Sequence, residues 1–190
     1  RILDAFNQPC TDWLTFFCFT TFTDRDGKYQ LGALAESAFD PLSRTCRFML
    51  TEEAHHLSVG QKGIERILLR STALEKADPN GDIRAQGGID FETIQKYVNY
   101  WYSYSLDLFG SEISTNAADF FASGLKGRWK EAKNYDEHSA LGQFKTIQKL
   151  ENGVLVDHEV PLRNCMNEVL REDYMKDCTT VVRLWNRALE

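Results

Sequence analysis

The residues of this chain best suited to chemistry lie between Leu50 and Gly60, LTEEAHHLSVG, where acids and imidazoles fall three positions apart. Glu52/His55 and Glu53/His56 both fit Glu-x-x-His. On a helix, side chains three apart share a face one turn apart, so such a carboxylate and imidazole can grip one metal ion. Carboxylate-bridged di-iron proteins carry this unit on two of four bundle helices, and iron(II) accepts mixed oxygen and nitrogen donors. Four residues match by chance in many helices, so the neighbours must choose between the pairs. Stepping by threes and fours from Glu53 gives Leu42, Cys46, Met49, His56, Gly60, Gly63 and Ile67, an apolar or small stripe. The walk from Glu52 gives Thr45, Phe48, His55, Val59, Lys62 and Arg66, mostly polar. Amphipathic periodicity turns the first stripe toward the core, and with it Glu53 and His56. Polar groups placed there need a partner to offset desolvation: a metal ion, each other, or a neighbouring backbone group.

The elements that must position this pair read as follows. Thr11 or Asp12 caps a helix, or a kinked pair, running to about Phe39, with Gly27 and Gly32 as weak points. Asp40-Pro41 stops it and starts a second helix to about Lys76, which carries the pair. Residues 78–90, DPNGDIRAQGGID, read as a loop ending in an Asp90 cap. A third helix then runs to near Gly110, and a fourth follows Ser114 or Thr115 through NAADFFASGLKGRWKEAKN. Alternation around Asn152-Gly153 predicts a hairpin with strands at 144–151 and 154–160, and a last helix follows Pro161. The expected class is mainly α, a ferritin-like helical bundle with one β-hairpin near the C-terminal helix.

With 190 residues the chain is expected to form a single domain, residues 1–190. A net charge of −6 without a basic run argues against nucleic acid as a partner. No apolar run is long enough for a membrane span. Five cysteines without C-x-x-C spacing suggest reduced thiols and a cytoplasmic setting. The chain starts Arg1-Ile2-Leu3 rather than at methionine, which suggests a piece of a longer protein.

A di-iron site needs more ligands than Glu53 and His56. Reflecting Glu53 through the Asp40-Pro41 turn lands at about residue 28 on the first helix, where Asp24 and Asp26 are the acids in reach. Asp24 is preferred because it shares a stripe with Phe17, Thr21 and Leu31. On the third helix Tyr97, Tyr100, Tyr104 and Asp107 share a stripe, either a packed aromatic face or a carboxylate ligand beside tyrosines. Downstream, His138 is the imidazole available before the hairpin, with Tyr135 standing three residues before it.

The segments FTDRDGKYQLGALAESAFDPLSRTCRFMLTEEAHHLSVG, SLDLFGSEISTNAADFFASGLKGRW and NEVLREDYMKDC, in this order, resemble the BoxB family, the ferritin-like di-iron oxygenase components of benzoyl-CoA 2,3-epoxidase. Members are more than twice this length. The resemblance implies a centre of two Fe ions and O2 as co-substrate. It further implies electrons from a separate NADPH-dependent flavin/iron–sulfur reductase, and epoxidation of the ring of benzoyl-CoA in aerobic benzoate degradation. By motif, Glu53 and His56 match the first Glu-x-x-His, Asp107 the third-helix carboxylate, and His138 the second histidine. Lys126, Arg128 and Lys130 become candidate contacts for the CoA phosphates. The alternatives are another di-iron acyl-thioester monooxygenase, or a truncated or degenerate member acting as a binding or assembly module.

Overall fold

The computed structural model describes residues 4–127 and 143–190. Helix α1 (Trp13–Ala35) starts where Asp12 accepts the Thr15 amide at 2.7 Å, and neither glycine interrupts it. It stops four residues short of the predicted Phe39. Helix α2 spans Asp40–Ala77, and a loop leads to α3 (Phe91–Leu106), whose Asp90 cap accepts from the amide and hydroxyl of Thr93. A single 3-10 turn, Asp107–Phe109, replaces the predicted last turn of α3. Ser114 caps α4 (Thr115–Ala122), far shorter than predicted: Gly124, at φ +71°, takes the left-handed conformation that ends helices.

Strands β1 (Phe144–Glu151) and β2 (Val154–Pro161) pair antiparallel, with Glu151 opposite Val154. Asn152 at φ 51° and Gly153 at φ 82° form the turn whose twist suits two strands joined by two residues. A 3-10 turn, Leu162–Cys165, leads into α5 (Met166–Asn186). The described residues are thus mainly helical with a hairpin before the C-terminal helix, as the sequence predicts. No described helix is long and apolar enough to cross a membrane.

The chain divides into two compact units. The first combines the segment ending at Lys28 with Leu50–Leu108 and Asp173–Glu190; the second combines Tyr29–Met49 with Phe109–Glu172. In the first unit α1 and α2 run antiparallel in very close approach. A Cβ added at Gly60 would lie 2.8 Å from the Thr21 amide nitrogen and 3.0 Å from the Phe17 carbonyl oxygen, so only glycine fits. Gly63 likewise accepts the Phe17 ring against its backbone. The opposite side of α1 meets α3 and α5. Phe19 packs on Trp101 at 5.5 Å, Phe22 on Tyr102 and Trp185 at about 6 Å, and the Thr23 and Ser105 hydroxyls bond at 3.1 Å. Full burial of a side chain such as Phe22 or Ile64 contributes about 1.5–3 kcal/mol. Asp177 of α5 pairs with Arg25 at 2.9 Å and Lys28 at 2.7 Å, both on α1.

The second unit has its own apolar cluster of Ala117, Phe121, Leu162 and Met166. The end of α1 is tied there by backbone bonds: the Gly127 amide donates to the Ala33 carbonyl, and the Ala38 amide to that of Gly124.

Candidate metal centre

In the first unit, the pairing of Gly27 with Glu53, Thr21 with Gly60 and Phe17 with Gly63 fixes the register of α1 against α2. That register sets Asp24 opposite His56. Asp24, Glu53 and His56 each offer one ligand atom, and these atoms lie within 4.8 Å of one another. The Asp24 carboxylate and the His56 Nδ1 are 3.8 Å apart. The partner acid therefore comes from the helix that reflection through the turn selects, and of the two acids in reach it is Asp24, the one preferred for its stripe.

The two candidate stripes of α2 differ as periodicity requires, with two corrections: Met49 and His56, both expected to face the core, are exposed. Thr45, Phe48, Glu52, His55, Val59, Lys62 and Arg66 are all exposed, whereas Cys46, Gly60 and Gly63 are buried and Glu53 is half-buried. His56, expected to face the core, keeps 51% of its side chain exposed, against 23% for Asp24. The contact face of α2 is narrow because Gly60 and Gly63 draw α1 so close; His56 stands at its rim.

Glu53 has one carboxylate oxygen, Oε2, that is buried with no hydrogen-bond partner. Its other oxygen lies 3.1 Å from where a Cβ on Gly27 would be, so the absent side chain at position 27 leaves room for the carboxylate. Burial pushes the Glu53 carboxyl above its ordinary 4.5, the Asp24 charge adds to the push, and His56 opposes both. Burial likewise raises Asp24, again with His56 opposing. Two desolvated acids side by side, one with an orphaned oxygen, form a site that a cation would stabilise. Two carboxylates and one imidazole are donors that iron(II) takes, and three ligands leave positions open on the metal. The residues fit one metal ion.

A cleft of about 420 Å³ opens beside these ligands. Asp24 and His56 line it together with Phe16, Phe19 and Trp101, so its walls are largely aromatic. The sequence gives little sign of this cleft, because it joins side chains of three helices with the segment around Phe6 and Cys10. Gly27 carries a signal that sequence analysis assigned to helix weakness rather than to space for Glu53.

Of the other predicted ligands, Asp107 is not part of this group. Asp107 is exposed in the 3-10 turn after α3, and the tyrosine stripe that includes it is not the packed face; Ile94, Trp101 and Ser105 are. His138 lies outside the described residues, as do Arg128 and Lys130. Lys126 donates to the Gln30 side chain at 2.6 Å.

No family model matches the chain. Over 190 aligned residues, 98% of its length, the chain is 49% identical to the benzoyl-CoA oxygenase component B of Aromatoleum evansii. The chain is thus similar to a protein of the kind its three segments resemble. The chain spans 40% of the length of that relative.

Proposed function

We propose that this chain is part of the oxygenase component of a benzoyl-CoA epoxidase and that Asp24, Glu53 and His56 hold one iron of a ferritin-like di-iron centre. The observation that carries the reading is the buried, unpartnered Glu53 oxygen beside Asp24 and His56, in a chain half identical to a named benzoyl-CoA oxygenase component. Iron held there would supply O2 activation, with electrons from a separate NADPH-dependent flavin reductase.

The chain's own residues would act as follows. Asp24 and Glu53 supply the anionic oxygens; burial raises both carboxyls, the Asp24 charge adds to the push on Glu53, and a bound cation would offset that desolvation. His56 reaches across from α2 at the rim, where its exposure leaves it free to adjust its ring. Phe16, Phe19 and Trp101 shape an apolar wall that accepts the benzoyl ring and keeps water from it. Four cysteines are buried and all five are unpaired, which supports a cytoplasmic, reducing setting.

A second reading, an assembly module without its own catalysis, is favoured by the position of Asp107 outside the ligand group. Oxygen uptake separates the two. With iron and a supplied reductase, benzoyl-CoA-dependent O2 consumption that disappears in His56→Ala supports the oxygenase. Iron-loaded protein that consumes no O2 with benzoyl-CoA points to the module.

A further inference from the structure

We infer that the groove starting one turn beyond His56 on α2 binds the phosphate-bearing half of an acyl-coenzyme A thioester, its anionic oxygens meeting Lys62, Arg66 and Arg70. This rests on the benzoyl-CoA reading above and names the part of the protein that would recognise the carrier rather than the ring.

The groove has a volume of about 610 Å³, within the range of small-molecule sites. Phe17, Val59, Ile67 and Ile89 make its floor apolar, and Lys62, Arg66 and Arg70 stand along it with no acidic residue in the lining. Cations at i, i+4 and i+8 share one helix face and repel one another. Three exposed helical cations elsewhere pair with acids one turn away: Arg44 with Asp40, Lys96 with Glu92 and Lys176 with Asp173. Among the described residues no carboxylate pairs with Lys62 or Arg66, and Arg70 reaches only the Gln86 carbonyl, at 3.5 Å. Glu65, one turn from Lys62, forms no ion pair with it, so the three cations repel one another along the groove and a bound polyanion relieves that repulsion.

Position supports the same ligand. The row extends along α2 for about 12 Å and begins at Lys62, nearly two turns or about 9 Å past His56. Phe16 walls the aromatic cleft and Phe17 the groove, and their rings pack at 5.6 Å, so the two spaces adjoin. A thioester whose ring lies in the cleft would send its pantetheine arm past Val59 over the apolar floor and set its phosphates at the cations. Of the residues first considered for the phosphates, Lys126 is engaged with Gln30.

The test is calorimetric titration of the chain with free coenzyme A, which needs neither metal nor acyl group. Binding is expected at low salt and should weaken at high salt. Arg66→Gln/Arg70→Gln should weaken it about ten-fold or more, with the thermal midpoint unchanged or raised. Pantetheine, which lacks the phosphates, should not bind detectably, and Lys149→Gln on the hairpin should bind as wild type. The inference is overturned if the double variant binds coenzyme A normally, if pantetheine binds as tightly, or if Lys149→Gln weakens binding equally. Iron binding separates this claim from the metal reading. Loss of iron in His56→Ala with Arg66 and Arg70 irrelevant to coenzyme A would remove the groove and keep the metal; the opposite pattern would keep the groove and remove the metal.

Discussion

Glu53→Gln should make the metal-free protein more stable and the metal-treated protein less so. In the apo protein the Glu53 carboxylate is half-buried, has an unpartnered oxygen and faces a second desolvated acid, Asp24. An unsatisfied buried polar group costs about 1–3 kcal/mol, and the amide removes the charge while leaving an oxygen to desolvate, so a gain of about 1 kcal/mol is expected. With a bound divalent ion the sign reverses. A ligand at a hundred times its dissociation constant stabilises the native state by about 2.7 kcal/mol. For a chain of this size that raises the melting temperature by roughly 5–11 °C. Anaerobic thermal unfolding with and without iron(II), or redox-inert manganese(II), reads both effects. Wild type should show the shift; Glu53→Gln should start about 2–4 °C higher and show almost none. A wild-type shift retained in Glu53→Gln, or a variant less stable than wild type without metal, would refute the reasoning.

Three further outcomes follow from the packing. Gly60→Ala puts a methyl against the Thr21 amide nitrogen at 2.8 Å and should cost about 1–3 kcal/mol in urea unfolding; a neutral result would mean that α1 and α2 are not this close. Gly27→Val should fill the space beside Glu53 and weaken iron binding measured by titration while Ala73→Val, at an exposed position of α2, does not, with equal losses counting against the cradle. For Asp177, burial alone would raise the carboxyl, but the Lys28 hydrogen bond and the Arg25 and Lys28 charges outweigh it and hold the group below its ordinary 3.8. The native state therefore binds this proton less readily than the unfolded chain: the stabilisation is complete above the ordinary value and is lost as pH falls through the depressed one. Asp177→Asn should cost about 2–3 kcal/mol at neutral pH, leaving Arg25 buried with its charge uncompensated, and should flatten the acid limb of stability against pH.

Much of this architecture is legible from residue order because local signals agree with one another. Asn152-Gly153 forces a two-residue turn, and Asp12, Asp90 and Ser114 cap the helices that follow them. The short Asp40-Pro41 connection lets one helix be reflected on the next, which brings Asp24 and Asp26 within reach of Glu53, and the stripe of Phe17, Thr21 and Leu31 favours Asp24. Other features depend on tertiary approach. α4 ends at Ala122, just before Gly124 and Gly127, whose helix-ending signal the long predicted helix overrode, and the left-handed backbone at Gly124 shows where it stops. The half-exposure of His56 depends on how tightly Gly60 and Gly63 seat against α1, a distance that periodicity does not carry. The aromatic cleft joins residues far apart in sequence, and Trp101 gives no local hint that it faces Asp24 and His56 rather than the tyrosines beside it.

The most direct test of the metal reading is anomalous diffraction at the iron edge from crystals of this chain soaked anaerobically with iron(II). The account predicts a peak within bonding distance of the Asp24 and Glu53 carboxylates and a ring nitrogen of His56, absent from His56→Ala crystals. A peak elsewhere on the protein, or none at that trio with iron bound in solution, would contradict it.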